Sequence, residues 1–130
     1  MRNRRRWSHI VNLKNNLLQQ LSRMRGMDLD VELVLDTYGA YPKVRDYART
    51  DGNCIYFSPK ILDASDDRIE GLLRHELAHV ILMRKGLFLH SEVEADAIAE
   101  WAFGLPIRYD IDDVQSISRG RIGRPLHLPN

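Results

Sequence analysis

The feature that constrains this chain most is the segment SDDRIEGLLRHELAHVILMRKG, residues 65–86. Ile69, Leu72, Leu73, Leu77, Val80 and Ile81 recur at helical spacing and form a broad apolar face. Ser65 suits an N-cap, and Asp66 and Asp67 suit the positive end of the helix dipole. Arg84 and Lys85 suit the other end, and Gly86 can close the helix in the left-handed conformation. The spacing predicts a helix over 65–85. Within it, HELAH places His75 and His79 four residues apart, on one helical face, where both rings can offer a nitrogen to one metal ion. Glu76, one position on from His75, projects beside such an ion and is placed to act as general base on a zinc-bound water.

A catalytic zinc site takes three protein ligands and keeps a position for water. The third should come from outside this helix. HSEVEAD, residues 90–96, is the candidate source. Glu92 and Asp96 are four apart, so one can bind zinc and the other can accept the free N–H of a ligand histidine. Glu94 points about 200° away from Glu92 and fits a capping box with Ser91, so it is the poorer ligand. His90 is a rival third ligand. The competing readings are a first-turn carboxylate for Glu92, a solvated charge for Asp96 and two incidental histidines in HELAH.

The rest of the chain reads as a small α+β unit. Its 130 residues, 44% hydrophobic and 28% charged, suit one domain with its own core. A helix is predicted over 10–25, from Ile10, Leu13, Leu17, Leu18 and Leu21, with Gly26 as its stop. Leu29, Val31, Leu33 and Leu35 alternate with more polar neighbours and predict a half-buried strand over 29–36. A turn is read around Gly39 and Pro42, and 43–49 fits no single pattern. Asp51-Gly52-Asn53 is a strong turn signal before a strand over 54–58, so a hairpin or small antiparallel sheet should precede the HELAH helix. A second helix is predicted over 91–103, ending at Gly104, with Trp101 in the core. A short helix is read over 112–118, and 119–130 is read as irregular.

Formal net charge is +1, so no global field argues for nucleic acid. The arginines at positions 2, 4, 5 and 6, with Trp7, offer a local reading of that kind; a solvated, poorly ordered terminus over 1–9 is preferred. The single cysteine, Cys54, excludes an intrachain disulfide and suits a reducing compartment. No signal-peptide core and no membrane-spanning apolar run is read, so a cytoplasmic protein is expected.

Taken together, HELAH and EVEADAIAEWAFGLP resemble the gluzincin metallopeptidases, most closely the ImmA/IrrE type; HtpX-like enzymes share the ExxAD element. The turn and strand Asp51 to Phe57 and the Gly104-Leu105-Pro106 ending fit the same pattern, so the resemblance covers about residues 27–106. It implies a single zincin-like metallopeptidase domain over 1–130, with an N-terminal helix, a short mainly antiparallel sheet, the HExxH helix and a second zinc-ligand helix. It also implies Zn2+ on His75, His79 and Glu92, Glu76 as base, and Asp96 as supporting carboxylate. The substrate is expected to be a peptide or protein, with neither nucleic acid nor membrane as partner. The chain departs from the pattern in having Ile98 where the family often has an aromatic residue, and in a C-terminal segment, 107–130, that matches no element of it.

Zinc peptidases commonly seat the substrate as an added strand on a sheet edge. The 53–58 strand is the candidate edge, against a reading in which it is paired on both sides. Tyr109 is the leading candidate for the donor that stabilises the tetrahedral intermediate, ahead of Arg108, His90 and Tyr56. The tail carries His127 and is a candidate to fold over the cleft. Two other readings are a non-catalytic protein that keeps the peptidase-like fold and a small nucleic-acid-binding protein with HELAH incidental.

Overall fold

The computed structural model describes residues 2–37 and 47–104. Helix α1 spans Arg2–Arg25 and strand β1 Glu32–Leu35; β2 spans Ala48–Thr50 and β3 Cys54–Phe57. A 3₁₀ turn over Pro59–Asp63 leads into α2, Asp66–Arg84, and α3 spans Glu92–Phe103. The described residues thus form a small α+β fold of three helices and a three-stranded mixed sheet. No helix of the described residues is long and apolar enough to cross a membrane. The turn around Gly39 and Pro42, residues Leu105 and Pro106, Arg108, Tyr109, the 112–118 helix and the tail with His127 lie outside the described residues.

Helix α2 is the centre of the fold. From Gly71 to Leu82 every residue except His79 is buried, so the helix is enclosed on nearly all sides and presents more than the single apolar face its spacing suggests. Ser65 caps it by accepting from the Arg68 N–H at 3.2 Å. Helices α1 and α3 pack against it and each other, and β2 lies over it. Ile55 and Phe57 of β3 and Val31 ahead of β1 close the core, with Ile10, Leu17 and Leu21 of α1.

Helix α1 begins at Arg2, not near Ile10, and takes in most of the stretch read as a poorly ordered basic terminus. Arginine is a good helix former, and these first turns have tertiary anchors. The Arg6 guanidinium donates to the Leu62 and Ala64 carbonyls and to Asp66. The Trp7 ring meets Phe57 edge-on at 6.0 Å, so it is engaged in packing rather than offered to a base. At its other end, Arg25 donates to the Trp101 carbonyl and lies over the Trp101 ring, joining α1 to α3.

The sheet corrects two expectations. Among the described residues it is not mainly antiparallel: β1 pairs parallel with β3, from Glu32 opposite Cys54 to Leu35 opposite Phe57, and β2 pairs antiparallel with β3. Alternation marks a strand but carries no direction. Strand β3 is also not an edge. The order β1-β3-β2 puts it in the middle, and among the described residues β2 is the edge beside α2. The turn before β3 is the one its sequence announces. Asp51 Oδ1 accepts from the Asn53 and Cys54 N–H groups at 2.9 and 3.0 Å, and these bonds hold the Asp51 carboxyl below its ordinary range. Gly52 sits at φ +95°, which favours glycine, and a Cβ there would come within 3.1 Å of the Met83 side chain, which would have to give way. Arg84, at the end of α2, donates to the Gly52 carbonyl at 2.9 Å and the Asp30 carbonyl at 2.8 Å. The hairpin is thereby tied down over the central helix.

Candidate metal centre

Two helices build the site. Helix α2 supplies His75, Glu76 and His79, and α3 supplies Glu92 and Asp96. The start of α3 is set by Ser91, whose hydroxyl accepts from the Glu94 N–H at 3.1 Å while Glu94 accepts from the Ser91 N–H at 3.2 Å. This is the capping box read from the sequence. It occupies Glu94 and leaves Glu92, in the first turn, facing α2.

Three donor atoms converge. Glu92 Oε1 lies 2.7 Å from His75 Nε2 and 3.1 Å from His79 Nε2, and the two ring nitrogens are 3.0 Å apart. Among the described residues, His75, His79 and Glu92 form a group that can hold a metal ion. The triangle's sides are 2.7, 3.0 and 3.1 Å, somewhat shorter than the ligand–ligand edge of about 3.3 Å in a tetrahedral site with bonds of about 2.0–2.1 Å, so a bound metal would spread the three donors slightly. Its chemistry asks for a cation as well. Each histidine turns its other nitrogen outward to a partner: His75 Nδ1 is 3.0 Å from Asp96 Oδ1, and His79 Nδ1 is 2.6 Å from His90 Nε2. With Nδ1 as the outward donor, each Nε2 carries a lone pair. Two lone pairs and an anionic oxygen then face one another at about 3 Å, which is repulsive unless a proton or a metal ion sits between them.

The titration of the site follows from this. Burial works against a charged His75, but the hydrogen bonds to Asp96 and Glu92 outweigh it and raise the ring to about 10. Proximity to the His75 ring first, and to the His79 ring second, holds Glu92 well below the usual carboxylate range. Without a metal, a proton on His75 takes the central role. Glu76 moves the other way: burial raises it, and the neighbouring His75 and His79 only partly oppose that.

Glu76, His79 and Glu92 open onto a pocket of about 310 Å³ whose other walls are Ala48, Arg49 and Thr50 of β2 and Met83. The edge strand and the histidine–glutamate group therefore share one cleft. Arg49 is exposed there and close enough to Glu76 to favour its charged form.

The structure brings together His75, Glu76, His79, Glu92 and Asp96. It places Glu94 in the cap and outside the metal-binding group, and it places His90 behind His79 rather than among the three donors. Tyr56 is committed to Asp51, to which it donates at 2.8 Å. Arg49 and the use of β2 as cleft wall are absent from the sequence reading. The three residues of β2 show no periodicity; only their position ahead of the Asp51-Gly52-Asn53 turn marks them as the first arm of a hairpin. No protein family, curated protein or solved structure matches the chain, so the site stands on its geometry and its chemistry.

Proposed function

We propose that this protein is a zinc-dependent metallopeptidase of the gluzincin kind, resembling the ImmA/IrrE type, with the metal on His75, His79 and Glu92. The observation that carries the reading is the placement of Glu76 on the wall of the same pocket that His79 and Glu92 line. Two imidazoles and one carboxylate suit zinc, and three protein donors leave a position open. Zinc bound there supplies a Lewis acid that polarises the scissile carbonyl and makes water acidic near neutral pH.

The chain's own residues do the rest. Glu76 takes a proton from the attacking water and delivers it to the leaving amine. Its raised pKa makes it a better proton acceptor than an ordinary surface carboxylate. The outer edge of β2 is where an extended peptide pairs as an added strand, which carries its backbone across the pocket. Arg49 faces the cleft as a cation for the oxygen on which charge develops, a role that Tyr109 is also proposed to fill.

The test is cleavage of a mixed peptide library by the zinc-loaded chain, with Glu76→Gln as control. The variant should keep zinc and lose at least about 10²-fold in kcat/KM, the scale on which general bases act. Zinc retained by both proteins, with no cleavage by either, would instead identify a non-catalytic binding protein.

A further inference from the structure

We propose that His90 is a positioning residue of the metal centre, accepting the Nδ1 proton of His79 and so holding His79 in the tautomer whose Nε2 lone pair faces the metal. The hydrogen-bond relay starts at a backbone carbonyl. His90 Nδ1 lies 2.6 Å from the Leu87 oxygen. A carbonyl can only accept, so this nitrogen carries the hydrogen. In a neutral ring, His90 Nε2 is then an acceptor. His79 Nδ1, 2.6 Å away, must donate to it, and His79 Nε2 is left with the lone pair that the triangle needs. The two rings stand 4.8 Å apart and 33° from parallel, so the bond is an edge contact and not a stack.

Both ends of this relay are fixed by helix caps. The Leu87 N–H donates to the Leu82 carbonyl at 2.9 Å and the Gly86 N–H to the Met83 carbonyl at 3.0 Å, which closes α2 in a Schellman-like turn with Gly86 at φ +81°. On its other side His90 is followed directly by the capping box of Ser91 and Glu94. The connection between the two ligand-bearing helices, residues 85–91, is thereby used to orient a ligand. His75 has a carboxylate behind it and His79 has an imidazole in the corresponding place. Outer partners of this kind typically govern metal affinity by about 10–100-fold.

This inference rests on His75, His79 and Glu92 holding a metal and does not depend on peptide hydrolysis. Zinc affinity of the full chain is measured by chelator competition for the parent, His90→Phe and His90→Gln. Phenylalanine keeps the ring and removes the acceptor; glutamine can place a carbonyl oxygen near the lost Nε2. The expected result is a zinc Kd about 10–100-fold higher for His90→Phe, with most of the loss restored in His90→Gln and the Co2+ absorption bands of the parent recovered with it. Equal affinity of His90→Phe and parent would overturn the proposal. So would three imidazoles around the metal by X-ray absorption, which would make His90 a ligand. A parent chain that binds no zinc would overturn it together with the metal reading. A measurement on the parent needs no variant: a 15N–15N coupling across the hydrogen bond from His79 Nδ1 to His90 Nε2 is expected, and its absence contradicts the relay.

Discussion

At the residue scale, the site depends on which nitrogen of each histidine is free. Asp96 settles this for His75, and its own side chain is largely enclosed at 14% exposure, where a hydrogen bond to a charged acceptor is worth more than at the surface. Asp96→Ala should raise the zinc Kd by about 10–100-fold, and Asp96→Asn, which keeps an acceptor, should lose less; chelator competition reads both. An unchanged affinity in Asp96→Ala would remove Asp96 from the site. The pairs His75/His79 and Glu92/Asp96 were legible in the sequence, because four-residue spacing on a helix is a geometric statement; which carboxylate joins the two histidines was not, and only the family resemblance pointed to Glu92. His90 was legible only as a residue with metal chemistry. Spacing cannot say whether an imidazole binds an ion or stands behind one that does; here both its nitrogens are committed to protein atoms.

At the element scale, the most readable parts were those whose ends are written in local chemistry. The Ser65 cap, the Ser91–Glu94 box and the left-handed Gly104 closing α3 all stand where the sequence puts them. The Ser91 cap also aims Glu92, so its loss has two readable effects. Ser91→Ala should destabilise the metal-free chain by about 1 kcal/mol, within about 0.5–2, seen as a lower urea midpoint with an unchanged slope. It should also weaken zinc binding, because the first turn of α3 carries Glu92, the proposed third ligand. A variant with parent stability and parent affinity would show that α3 starts without its cap. The sheet was less readable. Three residues, Ala48-Arg49-Thr50, are too few to carry a period, and nothing in β1 announces a parallel partner. The strand that forms the cleft wall was thus the one the pattern could not assign.

At the scale of the whole molecule, a central helix buried on almost every side carries a charged cluster, and stability is linked to pH through it. In the metal-free chain His75 is raised from 6.5 to about 10. Its contribution is therefore complete below pH 6.5 and is lost as pH rises through 10. Glu76, raised from 4.5 by burial, also disfavours the folded state as pH rises above that value. Glu92 is depressed from 4.5, so its contribution is present above 4.5 and is lost as pH falls below it. The metal-free chain should be most stable between about pH 4.5 and 6.5, and its urea midpoint should fall between pH 5.5 and pH 9. Zinc competes with the His75 proton, so the gain in midpoint on adding zinc should be larger at pH 9 than at pH 5.5. A metal-free midpoint that does not fall over this range would mean that His75 is not held charged by its two carboxylates. We propose that the two helices close around one metal ion through His75, His79 and Glu92, and a zinc titration at neutral pH of the parent and Glu92→Gln tests this. The predicted result is one zinc per parent chain, with affinity weakened once the carboxylate is an amide by more than the about 10–100-fold typical of losing an outer partner; equal binding by the two proteins, or none by the parent, would contradict it.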